Sequence, residues 1–332
     1  MLKEFKYQIR QKYLLLLLIA LAYCVFAGCM MARDAEGNVN RDFSYDIENY
    51  ASIEEVRAQY EDLQIPKEAN SSQIVMEELP ESGKNYYSQL YKYIIDNELP
   101  YDSLVEFDDA SYSGLRKHTH FHLFGMSAYF IMLFMVFGGG LVGSIVPTID
   151  FNRKTAKLVY SSGVNKKRVL LRKYAVSLVG LLGLELIMEI IVMLLSLIYV
   201  KSGVQYCYIL WGSKLYFFNF MQFAMIHVLH NMIMCIVFYT IIFFFSFLCK
   251  NAIISSISVF TLLFLNASMT IRVKEVWLAC LYNMPGGLFT CLVGGDYETK
   301  PIYFLLTLVY VAIGGILCAC ALEATKKFDF SR

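Results

Sequence analysis

Charge is scarce in this chain: Asp, Glu, Lys and Arg make up 17% of it, where a soluble domain carries about a quarter. Together with a 57% hydrophobic content, that scarcity excludes an ordinary water-soluble domain. A nucleotide site is missing too. No G-x-x-x-x-G-K-[ST] stretch occurs, so the chain has no phosphate-cradling loop of its own. No kinase, DNA-binding or other output domain can be read, and nothing points to nucleic acid. Residues 33–118 lack cysteine, so disulfides do not hold that segment. Acid is nearly absent from one further place, DFNRKTAKLVYSSGVNKKRVLLRKY (Asp150 to Tyr174), where eight Lys and Arg stand against a single Asp.

What is present instead is a series of apolar runs near the roughly 20 residues needed to cross a bilayer. Spanning segments must satisfy their own backbone hydrogen bonds, so helices are expected. The fold class predicted is an all-α polytopic membrane protein with six transmembrane helices and a small, mostly helical extracellular domain. The order along the chain is an amphipathic start 1–12, span one 13–32, an external domain 33–120 and span two 121–147. A basic loop 148–173, span three 174–200, an external loop 201–215 and span four 216–248 follow. A short turn 249–251, span five 252–271, an external re-entrant segment 272–300, span six 301–322 and a tail 323–332 complete it.

Lys and Arg near span ends stay cytoplasmic. The N-terminal tail, the 148–173 loop, Lys250 and the tail with Lys326, Lys327 and Arg332 then share the inner side, and both termini are inside. Residues 33–118, with nineteen Asp and Glu against eight Lys and Arg, fall outside. FAGC (Phe26 to Cys29) allows a second reading as a lipoprotein-type cleavage site; five further spans favour a retained helix.

The external domain carries two helical patterns. Ser52 and Glu55 form a capping box, Ile53, Val56, Tyr60 and Leu63 line one face, and Pro66 stops the helix. Over about Asn85 to Asn97 the apolar side is Tyr87, Leu90, Tyr91, Ile94 and Ile95. The acidic surface is a solvated face or an attractor of cationic molecules such as basic peptides. Between spans five and six, Pro285-Gly286-Gly287 breaks an apolar stretch into two short halves that fit a re-entrant segment. Cys280 and Cys291 flank the break as a pair or as free thiols. Cys24, Cys29, Cys235, Cys249, Cys318 and Cys320 look like membrane packing residues.

In the basic stretch, Pro147 is expected to close span two and Thr148 or Asp150 to cap a new helix. Phe151, Thr155, Leu158 and Ser162 share one face of it, widened by Ala156, Val159 and Tyr160. Ser161-Ser162-Gly163 ends it, and Asn165 caps the next helix, which opens with Lys166, Lys167 and Arg168. Such a loop can simply touch anionic lipid, or present a rigid surface to a partner's groove.

This layout resembles the ABC type-2 transporter permeases, especially those with an external domain between spans one and two. In that pattern an acidic residue, a short coupling helix, a turn, a basic cluster and a Lys entering span three follow span two. Here Asp150, Thr155 to Tyr160, Ser161 to Asn165, Lys166 to Arg168 and Lys173 take those places. Lys154 replaces a frequent Gly, and Gly163 a frequent Pro. The start with Leu2, Phe5 and Ile9 on one face is similar to the family's elbow helix.

The resemblance implies a multi-pass plasma-membrane permease, bacterial, that exports a peptide, antibiotic or lipid-like substrate. It is not an enzyme by itself and binds no cofactor. ATP and Mg would sit on separate cytoplasmic ABC ATPase subunits, a second permease subunit would complete the pathway, and Asp150, Phe151, Thr155, Leu158, Val159 and Tyr160 would take the ATPase's push.

Polar groups inside the spans are costly and so are candidates for function. Glu185 and Glu189 lie four apart on span three; His227, His230 and Asn231 lie on span four. Depth counting puts Glu185 near His227. These groups can be paired packing, the lining of a substrate path or metal ligands. They are also what an alternative membrane enzyme would use, whereas a membrane sensor would use the acidic domain. In RKHTHFH, His118 and His122 share a helical face; an interfacial turn is the simpler reading, a transition-metal site the other. The glycines Gly138 to Gly143, Gly180 with Gly183, and Gly314-Gly315 allow close helix approach.

Overall fold

The computed structural model describes residues 53–64, 81–99, 104–106, 120–152, 154–156, 165–199, 205–211, 214–251, 253–255, 257 and 299–327. Expectations for the amphipathic start, span one, nearly all of span five, Pro285-Gly286-Gly287 with Cys280 and Cys291, and His118 lie outside these residues. In chain order the elements are α1 (Ile53–Gln64), α2 (Glu81–Asp96), β1 (Leu104–Glu106), α3 (His120–Asn152), α4 (Lys166–Tyr199), β2 (Tyr206–Trp211), β3 (Lys214–Asn219), α5 (Phe220–Cys249) and α6 (Thr299–Lys327). The chain divides into two compact units. One comprises 31–125 and 196–224, and the other 1–30, 126–195 and 225–332.

In the first unit, α1 and α2 follow the expected patterns. Val56 from α1 and Leu90, Tyr91 and Ile94 from α2 are buried together with Leu99 and Leu104. Asn97 donates its side-chain amide to the Tyr93 carbonyl at 2.8 Å. Glu98 then takes a left-handed conformation, φ 50°, while Leu99 N–H reaches the Ile94 carbonyl at 3.0 Å. With the Glu98 N–H on the Ile95 carbonyl at 3.3 Å, the Leu99 bond completes a Schellman stop, and buried Leu99 supplies its apolar contact.

A helix-only fold does not hold here. Residues 206–219, expected as a loop running into span four, form a β-hairpin. β2 pairs antiparallel with β3, and β1 adds in parallel on the other edge of β2. The aromatic residues concentrated in YCYILW and KLYFFN suit a pleated surface. Tyr93 of α2 stacks on Phe217 of β3, centroids 3.5 Å apart, with Tyr206 edge-on at 5.9 Å. Burial, followed by the neighbouring Tyr206, pushes the Tyr93 hydroxyl's pKa upward. The helix after the hairpin begins at Phe220. Its start is fixed by reciprocal bonds: Asn219 Oδ1 accepts from Gln222 N–H and Gln222 Oε1 accepts from Asn219 N–H, both at 2.9 Å.

Among the described residues, four helices are long and apolar enough to cross a membrane, over Leu123–Phe151, Lys166–Ile198, Phe220–Cys249 and Phe304–Lys326. The chain is a membrane protein on that ground. The first of these segments is 73% enclosed by protein and the last only 22%, so α3 is a central helix and α6 an outer one. Val179, Ile187, Leu194 and Ile198 on α4, and Leu305, Leu308 and Ile316 on α6, stand exposed as lipid-facing side chains would. Close approach is confined to particular glycines. A Cβ at Gly143 would meet Ile242 at 3.2 Å and Tyr239 at 3.3 Å, and one at Gly314 would meet Thr240 at 3.3 Å. Gly183 and Gly315 face open space.

Pro147 does not close α3. The helix continues through it to Asn152. Thr148, expected as an N-cap, donates its hydroxyl backward to the Ser144 carbonyl at 2.7 Å and to Ile145 at 3.2 Å. Hydroxyls of this kind take up carbonyls around an interrupted ladder, which is how spanning helices tolerate proline.

Candidate functional site

The expected ATPase-contacting residues divide at the end of α3. Asp150 and Phe151 belong to its last turns, not to a separate helix. Lys154 N–H bonds the Phe151 carbonyl at 3.1 Å, and Thr155 N–H the Asp150 carbonyl at 2.8 Å. With Lys154 left-handed at φ 57°, this is a second Schellman stop. Position 154, where the resembled pattern has glycine, thus has the backbone that glycine adopts most easily. Lys154 and Thr155, beyond Asp150, fall in the break. Leu158, Val159 and Tyr160 lie outside the described residues.

Asn165 caps α4 as expected, its Oδ1 accepting from Lys167 N–H at 3.1 Å. Two turns on, Lys173 projects back onto Asp150. The Lys173 ammonium donates to Asp150 Oδ2, and both side chains are buried. This pair ties the last turns of α3 to the first turns of α4 on either side of the basic segment. Aromatic packing extends the junction. Phe151 lies 5.8 Å from Phe247 of α5, and Tyr174 donates to or accepts from Thr240 at 2.6 Å while packing on Phe243 and Phe244. Ser177 and the Tyr239 hydroxyl bond each other one turn deeper. Sequence reasoning placed Asp150 and Lys173 separately. The signal it missed is that a lone acid and a lysine flank one loop at adjoining helix ends.

Further into the bundle, Glu185, Glu189, His227, His230 and Asn231 are all buried. The register between α4 and α5 differs from the depth count. Asn231 Nδ2 donates to Glu189 Oε1 at 2.6 Å and to the Ala128 carbonyl of α3 at 3.1 Å. Glu185 neighbours the Cys235 thiol, two turns beyond His227 along α5. The late start of α5 at Phe220, after four residues spent in β3, explains part of the slip. Cys235 therefore has a polar neighbour and is not only a packing residue. His227 and His230 neighbour each other. Among the described residues, no group of three or more His, Cys, Asp and Glu has metal-holding geometry.

Of the His118–His122 pair, only the backbone of His122, in the first turn of α3, is described. His120 sits between Phe121 and Phe220, centroids 4.6 and 4.8 Å away. Burial lowers its pKa from the usual 6.5. Comparison with known protein families, curated proteins and solved structures finds no match.

Proposed function

We propose that this chain is the membrane permease subunit of an ATP-driven exporter. In this reading its six spans leave both termini and the basic segment in the cytoplasm, with the acidic Tyr-rich domain outside. Separate ABC ATPase subunits hydrolyse ATP, and a second permease subunit lines the other half of the path. The cargo class is a peptide, antibiotic or lipid-like molecule, with cationic peptides favoured by the acidic outer segment.

The observation that carries the reading is the buried Asp150–Lys173 pair. It brackets the eight-cation segment and joins the two helices that emerge from it. A push on Phe151 to Ser162 would reach α3 and α4 together, because breaking a buried pair leaves an uncompensated charge in the apolar interior. Polar residues between the helix ends and their partners add to the junction: Tyr174 with Thr240, and Ser177 with Tyr239.

The test is co-purification of the full chain from its native membrane with its ATPase. Replacing Leu158 and Tyr160 together by Glu is expected to abolish ATPase association while the chain still inserts. Full retention of the ATPase by that variant would overturn the docking assignment.

A further inference from the structure

α4 carries two carboxylates whose surroundings do not neutralise them. Glu185 and Glu189 are both 0% exposed. Asn231 donates to Glu189 Oε1, and the Cys235 thiol is a neighbour of Glu185. Neither oxygen of Glu185 has a hydrogen-bond partner, and neither does Glu189 Oε2. Counter-charge is missing as well. No Lys or Arg occurs in the apolar runs 13–32, 121–152, 174–199, 216–249, 252–271 or 301–325. Lys173 is the nearest cation along α4. It lies three turns away, about 18 Å at 1.5 Å per residue, and is already bound to Asp150. Among the described residues, the titratable groups facing the pair are Cys235 from α5 and each carboxyl from the other; α3 contributes the Ala128 carbonyl. His227 and His230 lie further toward the start of α5 and neighbour each other.

An ionised carboxylate in an apolar interior without a paired cation costs more than taking up a proton does. Two of them one helical turn apart add mutual repulsion. Among the described residues no cation faces the pair, and a proton is the ligand that neutralises it there. We propose that Glu185 and Glu189 form a proton-binding site within the membrane, in which Glu185 holds the proton at neutral pH. Asn231 fixes the division of labour: its amide donates to Glu189 and so favours that carboxyl as acceptor, leaving Glu185 as the carboxylic acid. The site gives the membrane unit a proton-linked state. It does not depend on the exporter reading.

Infrared difference spectroscopy of the full-length protein in lipid nanodiscs tests it directly. At pH 7 the wild type is expected to show the C=O stretch of a protonated, non-aqueous carboxylic acid, and Glu185→Gln is expected to lose it. Glu189→Gln should keep that band at a shifted frequency, and Cys235→Ala should shift it also, because the thiol lies beside the acid. These two variants keep the proposal testable if Glu185→Gln does not fold. Absence of the band at pH 7, or a band unchanged in all three variants, would overturn the assignment. So would imidazolium bands from His227 or His230 in its place, since the proton would then sit on α5. ATPase association plays no part in the readout, so failure here is distinct from failure of the exporter proposal.

Discussion

Among the described residues, three stop a helix in the left-handed region without being glycine: Glu98, Lys154 and Lys250, at φ 50°, 57° and 57°. An L-residue there costs about 1–2 kcal/mol, offset in part by the larger unfolded-state entropy of a glycine replacement, about 0.4–1 kcal/mol. The side-chain charge decides how the three differ. Lys154 and Lys250 sit at the negative end of a helix dipole and gain from it, whereas Glu98 is repelled there. Glu98→Gly is therefore expected to stabilise its unit by about 1 kcal/mol, and Lys154→Gly or Lys250→Gly by less or not at all. Thermal melts in detergent, with protease susceptibility of each unit as a second readout, rank the three variants. A larger gain at either lysine would refute the charge argument. Asp150 gives the opposite case. Asp150→Ala strands the buried Lys173 ammonium and should cost about 3–5 kcal/mol, while Asp150→Asn with Lys173→Met, which removes both charges, should recover most of it. Equal melting of the single and double variants would mean that the pair is solvated.

The hairpin shows why some elements were legible in the sequence and others were not. Helix positions with regular spacing were readable: Val56, Leu90, Tyr91 and Ile94 point into one core as their spacing predicts. Asn165 was readable as a cap because its chemistry is local. β2 and β3 were not, because KLYFFN runs without a polar break into the apolar helix that follows, and composition cannot divide strand from span. The two-residue Gly212-Ser213 link between two aromatic runs was the available signal, since such links mark hairpins. Pro147 misled for a related reason: a breaker in water is tolerated where hydroxyls such as Thr148 take up carbonyls. The register that joins Glu185 to Cys235 depends on where α5 starts, which no local pattern sets. The stacked Tyr93–Phe217 contact makes the hairpin's docking on α2 measurable. A double-mutant cycle with Tyr93→Leu and Phe217→Leu should return a coupling of about 1 kcal/mol, and a value near zero would remove the ring pair from the hairpin's support. His120 adds a pH signature. Burial lowers its proton affinity in the fold, so the unfolded chain protonates first as pH falls below the usual 6.5. Stability of that unit is then full above this range and is lost as pH falls through it, toward the lowered folded value. Amide exchange of α2 and β2 between pH 8 and pH 5 should show this slope, and His120→Gln should flatten it.

At the scale of the whole molecule, the distribution of charge and the junction at Asp150 make separable demands. Charge sets sidedness: the basic segment must lie opposite the acidic one if Lys and Arg near span ends decide orientation. In sealed, right-side-out vesicles, an impermeant maleimide should reach Glu98→Cys and fail to reach Lys154→Cys. Labelling of both from outside would remove the exporter reading altogether. Docking and transmission can then be told apart. If an ATPase grips the surface that includes Leu158 and Tyr160, the Asp150–Lys173 pair is not part of that surface, because both side chains are buried. Its task would be to make α3 and α4 move as one. Asp150→Asn with Lys173→Met should therefore leave ATPase association intact while cargo export per ATP hydrolysed falls, since the packed junction of Phe151, Tyr174 and Phe247 remains but its fixed charge pair does not. Loss of association in that variant would place the pair in docking instead. Unchanged export with unchanged association would show that aromatic packing alone carries the push.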